Sequence, residues 1–295
     1  MTVGVFEAID AGILERLYHK REEPVDAVPT MLPSWNHRCR DEGGGVGLAR
    51  GWQVIVAGKT GAGKSLVGLN LAIYAMRKGE YVGYISLEMS QDQLITRAMA
   101  IYGRVAVRKL EPGKDYDYKL FQQVSQEWED NIRNQLCVNQ RPISKLQDVR
   151  DAMIHCHDIY GCRYFVTDYL QLAWVSGADT IYDQVTEVSH TIRATAHDLS
   201  VVSVGLSQFN RRTSASKDRP EETGLMGGSP LENDADQVLL LDHTTLERLS
   251  DVSTTQEILL KKNRHGAAGR IKICWDYDTL ELSELDDMRE GGAPF

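Results

Sequence analysis

Residues 53–65 read QVIVAGKTGAGKS. Val54, Ile55, Val56 and Ala57 form a short apolar run, the mark of a buried strand. Gly58, Lys59, Thr60, Gly61, Ala62, Gly63, Lys64 and Ser65 then satisfy G-x-x-x-x-G-K-[ST] in full. Leu66, Leu69, Ile73 and Met76 come next at spacings of three and four, which predicts a helix. Strand, glycine-rich loop and helix, in that order, make a phosphate-binding loop rather than an ordinary glycine turn. The residue types suit that chemistry. Glycines at 58, 61 and 63 let backbone N–H groups turn onto phosphate oxygens. The helix N-terminus adds partial positive charge. Lys64 reaches the β- and γ-phosphates of ATP, and the Ser65 hydroxyl ligates Mg²⁺.

Composition bounds the rest. The chain has 295 residues, of which 42% are hydrophobic and 25% charged, enough for one large α/β domain or one domain with a short appendage. No apolar run approaches the roughly 20 residues that cross a membrane. Residues 1–12 carry no early positive charge and no apolar h-region, so a cytoplasmic protein is expected. Five scattered cysteines read as reduced thiols, and the spacing of His155, Cys156, His157 and Cys162 matches no zinc pattern. The net charge of −9 argues against nucleic acid wrapped over the whole surface and leaves room for a local basic site.

Toward the N-terminus, residues 3–22 repeat Val5, Ile9, Ile13 and Leu17 at helical spacing, and a Pro-containing stretch at 23–29 separates them from the rest of the chain. They form either a helix of the same domain or one that docks on a neighbouring subunit. After the loop and its helix, 81–87 (YVGYISL) is a strand and Ser90 an N-cap for a helix at 91–101. Glu88 therefore stands at the carboxyl end of a strand, the edge where open parallel sheets bind ligands. It either caps the next helix or deprotonates the water that attacks the γ-phosphate.

Helices at 117–134 and 143–157 flank a short strand at 136–139. Residues 163–168 (RYFVTD) form a strand whose terminal Asp168 suits the Mg²⁺ shell. A helix at 181–199 precedes the strand 201–206, closed by Ser207 and Gln208, a polar strand end able to sense the γ-phosphate. Residues 209–235 have little periodicity. Arg211, Arg212, Lys217 and Arg219 there make either a solvated loop or a contact with a nucleic-acid backbone. Strands come next at 236–241, 257–262 and 270–275, the last two joined as a hairpin with Lys262 and Arg264 at its tip. Cations so placed suit insertion into a neighbour's nucleotide site. The alternation predicts an α/β fold, a mostly parallel sheet flanked by helices with a C-terminal β-hairpin.

Five segments together resemble the C-terminal ATPase domain of DnaB-type hexameric replicative helicases, within the RecA-like P-loop NTPase fold. They are ISLEMS at 85–90, DYLQL at 168–172, LSQFNR at 206–211, LENDAD at 231–236 and KNRHG at 262–266, in the family's order. The resemblance covers about residues 30–285. It implies Glu88 as catalytic base, Lys64 and Ser65 on phosphate and Mg²⁺, and Asp168 on the metal. It implies Gln208 as the coupler to DNA and Arg264, helped by Lys262, as a finger acting on the next subunit. Residues 211–229, including Gly228 and Ser229, would face single-stranded DNA in the channel of a homo-oligomeric, hexameric ring. A replication loader or a primase is the further partner implied.

The expected organisation is an N-terminal helix and linker for subunit docking at 1–29, the ATPase domain at 30–285 and a flexible tail at 286–295. Two features depart from the pattern. Residues 1–29 are too few for the separate N-terminal domain of larger members, so primase contact through such a domain is not expected; compact members are typical of phage and plasmid systems. Met226, Gly227, Gly228 and Ser229 stand where many members carry an Arg-Glu pair. The alternatives kept open are a recombinase-like ATPase forming filaments on single-stranded DNA, and an ATP-dependent regulatory or loader protein that does not unwind.

Overall fold

A computed structural model describes residues 26–39, 47–132, 134–140, 143–208 and 230–285. In chain order the elements are β1 (Ala27–Val28), α1 (Pro33–Arg38), β2 (Leu48–Ala49), β3 (Gln53–Gly58), α2 (Lys64–Arg77), β4 (Val82–Ser86), α3 (Gln91–Gly103), α4 (Tyr118–Ile132), β5 (Leu136–Val138), α5 (Leu146–Tyr160), β6 (Tyr164–Asp168), α6 (Ile181–Asp198), β7 (Val202–Gln208), α7 (Pro230–Asp234), β8 (Gln237–Arg248), β9 (Ser253–Asn263), β10 (Gly269–Asp276) and β11 (Glu281–Glu284). Nine strands form one sheet in the order β11-β10-β9-β8-β3-β7-β6-β4-β5. From β8 to β5 neighbours run parallel. The three on the other flank, β9, β10 and β11, are joined antiparallel. The expected mostly parallel sheet and C-terminal hairpin are both present.

β3 lies inside this sheet, and every one of its residues is buried. That is why it reads as an unbroken apolar run and not as an alternation: parallel strands are covered on both faces. Its side chains still alternate in destination. Val54 and Val56 join the core built with α1, α2, α3 and α4, while Ile55 and Ala57 join the core built with α5, α6 and α7. Local signals set the helix starts. Ser90 opens α3 through a capping box with Gln93, as the sequence predicts, and Thr180 opens α6 through one with Asp183.

Other boundaries differ from expectation. α5 begins at Leu146 and not at 143, because Ser144 accepts the Trp174 N–H at 2.6 Å and Lys145 bridges to Trp174, which holds the chain extended there. β8 continues seven residues past the expected end at 241, to Arg248. Those residues are polar or exposed, so no apolar run announces them; cross-hairpin pairs such as Glu247 with Thr255 hold them. β11 was not expected. It pairs antiparallel with β10 over Ile273 to Asp276, and its Leu282 N–H bonds to Oδ1 of buried Asn70 in α2 at 3.0 Å. Asp26 pairs with Arg50 and Arg163, and β1 pairs with β2, which fixes residues 26–28 against the body of the domain. Among the described residues no helix is long and apolar enough to cross a membrane. The expected helix at 3–22 and the tail after 285 lie outside the described residues.

The sheet places two features at opposite edges. The phosphate loop leaves the carboxyl end of β3. The β9–β10 turn, residues 264–268, lies at the other edge, because Asn263 pairs with Gln237, the first residue of β8. Packing is tight between β4 and β6: a Cβ on Gly83 would stand 2.4 Å from Cε1 of buried Phe165, its register partner. Gly83→Ala is therefore expected to cost about 1–3 kcal/mol of stability, read as a lower urea midpoint at unchanged slope; an unchanged midpoint would refute this packing.

Candidate active site

The loop after β3 takes the conformation that glycine permits. Gly61 and Gly63 have φ of +78° and +92°, values that strain any other residue. Gly63 is also the N-cap of α2 and has no side chain to satisfy the first-turn N–H groups, which leaves them for an anion. A second constraint acts there. A Cβ on Gly63 would meet the Trp275 ring at 3.0 Å, and Trp275, from β10, is buried with its indole N–H on Gln256 Oε1 at 2.8 Å. The antiparallel flank thus props the loop.

Lys64 folds back over the loop and donates to the Lys59 carbonyl at 2.8 Å. Burial holds its ammonium below the usual lysine range, and the nearby charges of Asp168 and Glu88 offset this in part. Asp168, at the end of β6, is almost fully buried. Burial raises its carboxyl above the ordinary range, against the pull of the Ser65 and Tyr84 hydroxyls and of Lys64. Tyr84 donates to Oδ2 at 3.1 Å, while buried Oδ1 has no hydrogen-bond partner among the described residues. A buried carboxylate oxygen left unpaired beside a hydroxyl suits a hard cation.

Glu88 is exposed just beyond β4. The Leu87 N–H bonds to the Asp168 carbonyl at 2.7 Å, and the Ser86 hydroxyl donates to the Met89 carbonyl at 2.7 Å, so the turn carrying Glu88 is fixed to the end of β6. Gln208 closes the loop side: its amide donates to the Thr60 hydroxyl. Sequence reasoning missed the residue behind it. Gln171 donates to the Ser207 hydroxyl at 2.7 Å and to the Gln208 carbonyl at 3.1 Å, and accepts the Gln208 N–H at 3.2 Å. It joins the strand end that carries Gln208 to the segment after Asp168. Its signal was a polar residue inside an otherwise apolar stretch, Leu170 to Leu172.

Lys262 and Arg264 are not with this group. β3 has six residues, so its length puts the two edges about 20 Å apart. There Lys262 donates to the Asn233 carbonyl at 3.0 Å and to the Glu232 carbonyl, and Arg264 to the Asn233 carbonyl. Burial and the neighbouring Arg264 hold the Lys262 ammonium below its usual range. The turn is braced from within: Asn263 donates to the Arg38 carbonyl at 2.7 Å and accepts the His265 N–H at 3.1 Å. Arg211, Arg212, Lys217, Arg219, Gly228 and Ser229 lie outside the described residues.

The chain is 26% identical over 299 residues to a probable plasmid replicative DNA helicase of Chlamydia muridarum, covering 95% of this chain and 61% of that protein. It is 27% identical over 269 residues to the replicative DNA helicase DnaB of Geobacillus stearothermophilus, covering 88% and 57%. The chain thus spans less than two thirds of the length of these relatives. Among solved structures, an ATPase domain superposes with a TM-score of 0.77 at 21% identity, covering 95% of this chain and 100% of that one. A DnaB-like replicative helicase, described together with its interactions with primase, gives 0.75 at 21% identity, covering 94% and 67%. These likenesses establish the RecA-like ATPase fold. Residues 44–284 match the family model of the DnaB-like helicase C-terminal domain, and the chain belongs to that family.

Proposed function

We propose that this chain is the ATP-hydrolysing motor of a replicative DNA helicase, assembled head to tail as a hexameric ring that moves along single-stranded DNA. One observation supports it above the others: the phosphate loop and the Lys262–Arg264 turn stand at opposite edges of one sheet. A turn on that edge cannot serve the loop of its own chain. A complete site needs the loop of one subunit and the turn of the next, which is a heterologous contact. The replicative helicases among its relatives fit this reading.

At such an interface each residue has a task. The loop N–H groups and Lys64 hold the β- and γ-phosphates. Ser65 and Asp168 are the residues that would hold Mg²⁺, and the unpaired Oδ1 of Asp168 fits that role; the ion, when bound, neutralises charge on the phosphate oxygens. Glu88 orients the attacking water and takes its proton. Arg264 of the adjacent subunit, with Lys262 beside it, stabilises charge on the transferring phosphoryl group. Gln208, through its contact with Thr60, reports the state of the loop to the residues that come after it. Those residues, Arg211 to Ser229, meet the DNA strand, and a loader or primase is the further partner.

A second reading shares the same interface. A heterologous contact closes into a ring only if its rotation closes; otherwise it continues as a helical filament. Negative-stain images of the chain with ATP and single-stranded DNA separate the two, and closed rings are expected.

Lys64→Ala is expected to reduce ATP hydrolysis to background, measured as phosphate release. Arg264→Ala is expected to lower kcat by about 10³-fold or more while nucleotide binding stays near wild type, because the loop it leaves untouched does the binding. Wild-type turnover by an assembled Arg264→Ala protein would show that this arginine is not the finger.

A further inference from the structure

We propose that Asp236 is a positioning residue for the interface turn: it holds Arg264 at rest and ties the turn to the first residue of the phosphate-loop strand, so that nucleotide bound by one subunit shifts the finger offered to the next. This deepens the reading of Arg264 as a finger and rests on it.

Asp236 sits between α7 and β8 and is 6% exposed. Its two carboxylate oxygens do different things. Oδ2 accepts the Gln53 N–H at 2.9 Å, at the start of β3. Oδ1 faces three cationic or protonatable groups: Arg264 Nη1 at 3.5 Å, Arg193 Nη2 at 3.6 Å and His265 Nε2 at 3.8 Å. None is at the 2.7–2.9 Å of a tight charge-assisted hydrogen bond. On its Asp236 side the arginine is attracted and aligned but not tightly bonded, its other terminal nitrogen donates to the Asn233 carbonyl, and its side chain remains 39% exposed. A phosphate oxygen from a neighbour can therefore compete for it.

The backbone repeats the connection. The Asp236 N–H bonds to the Gln53 carbonyl at 2.8 Å, and the Arg264 N–H bonds to the Asp236 carbonyl at 3.0 Å. Gln53, Asp236 and Arg264 thus form a tie that joins the start of β3, the residue before β8 and the residue after β9. From Gln53 the strand runs without interruption to Gly58, bonded on both sides, and there the phosphate loop begins. Beside the tie, Trp52 stacks on His265 with ring centroids 3.9 Å apart, so the residue before β3 also touches the turn. A carboxylate that merely capped β8 would need Oδ2 alone; the cluster on Oδ1 is what the positioning role explains.

Asp236→Asn keeps an acceptor for Gln53 and removes the charge that gathers the cations. In the full chain it is expected to lower kcat for ATP about 5- to 20-fold, with nucleotide affinity and melting temperature near wild type. Co-assembled with Lys64→Ala, it should turn over faster than the two proteins assayed separately, because intact turns of the Lys64→Ala subunits then complete intact loops of the Asp236→Asn subunits. Unchanged kcat, or a loss that tracks melting temperature and is not relieved by co-assembly, overturns the proposal. A measurement on the unsubstituted chain covers the case in which the variant folds poorly. Below the concentration at which subunits associate, a non-hydrolysable ATP analogue should alter amide hydrogen exchange in residues 263–268, and should not in Lys64→Ala; no change in the wild-type chain overturns the coupling. Arg264→Ala, assayed in parallel, separates the two claims: if it is inactive while Asp236→Asn is normal, the finger stands and the positioning role falls, and if it turns over normally the finger reading itself falls.

Discussion

β3 is bonded along both edges, by six register pairs to β7 and by four to β8, and it is buried on both faces. A strand held in this way cannot slip by one residue without exchanging its whole set of core contacts. It therefore joins two points through one bonded strand, the phosphate loop at one end and the Gln53–Asp236 tie at the other. Asp168 on β6 and Gln208 on β7 are registered through the same ladder, and Glu88 through the bond from Leu87 to Asp168. The site is thus a set of strand ends whose relative heights are set by backbone hydrogen bonds, while the loops between them supply the chemistry.

Burial sets the electrostatics of these strand ends. Lys64 and Asp168 are both desolvated, and each is pushed toward its neutral form, the lysine downward and the carboxyl upward. Each charge also favours the other's ionised form. The ammonium donates to a carbonyl of its own loop, and one carboxylate oxygen lacks a hydrogen bond among the described residues. Polyanionic phosphate with a divalent cation would satisfy both at once, placing negative charge against Lys64 and positive charge against Asp168. Removing either partner alone would leave the other charge buried and uncompensated. That is the physical reason for a lysine after β3 and a carboxylate at the end of β6 to stand on one edge of the sheet, with β7 between them.

What the sequence made legible was local. The phosphate loop, the Ser90 cap and the Asp168 strand end depend on residues within one turn or one strand of each other, and the structure has each where the sequence puts it. What stayed hidden was non-local. The partner of Asp236 is Gln53, 183 residues earlier, and nothing near Asp236 in the chain points to it. Trp275 reads as one more strand aromatic until the sheet brings its ring to Gly63. The extension of β8 was illegible for a different reason. Between Asp242 and Glu247 the pairing is irregular, and side chains repair it: Thr245 accepts the Glu257 N–H at 2.8 Å, and Thr244 donates to Asp242 at 2.6 Å. Polar residues that substitute for ladder bonds look, in sequence, like a loop.

The antiparallel flank explains why the two halves of the proposed site belong on one chain. A parallel sheet presents its strand-to-helix loops, the usual ligand-binding ones, at the carboxyl edge, and only helix-to-strand returns at the amino edge. Adding β9 antiparallel to β8 reverses the direction and sends a short turn to the amino edge, where Asn263, Arg38 and Asp236 hold it. The turn itself is a second reversal, which returns β10 to the carboxyl edge, so that Trp275 reaches the phosphate loop. One hairpin thereby both supports the loop of its own chain and carries Arg264 to the far side. On the proposed reading, this couples the quality of a subunit's own site to the quality of the finger that it lends. A subunit whose hairpin is displaced would impair two interfaces, its own through Trp275 and its neighbour's through Arg264.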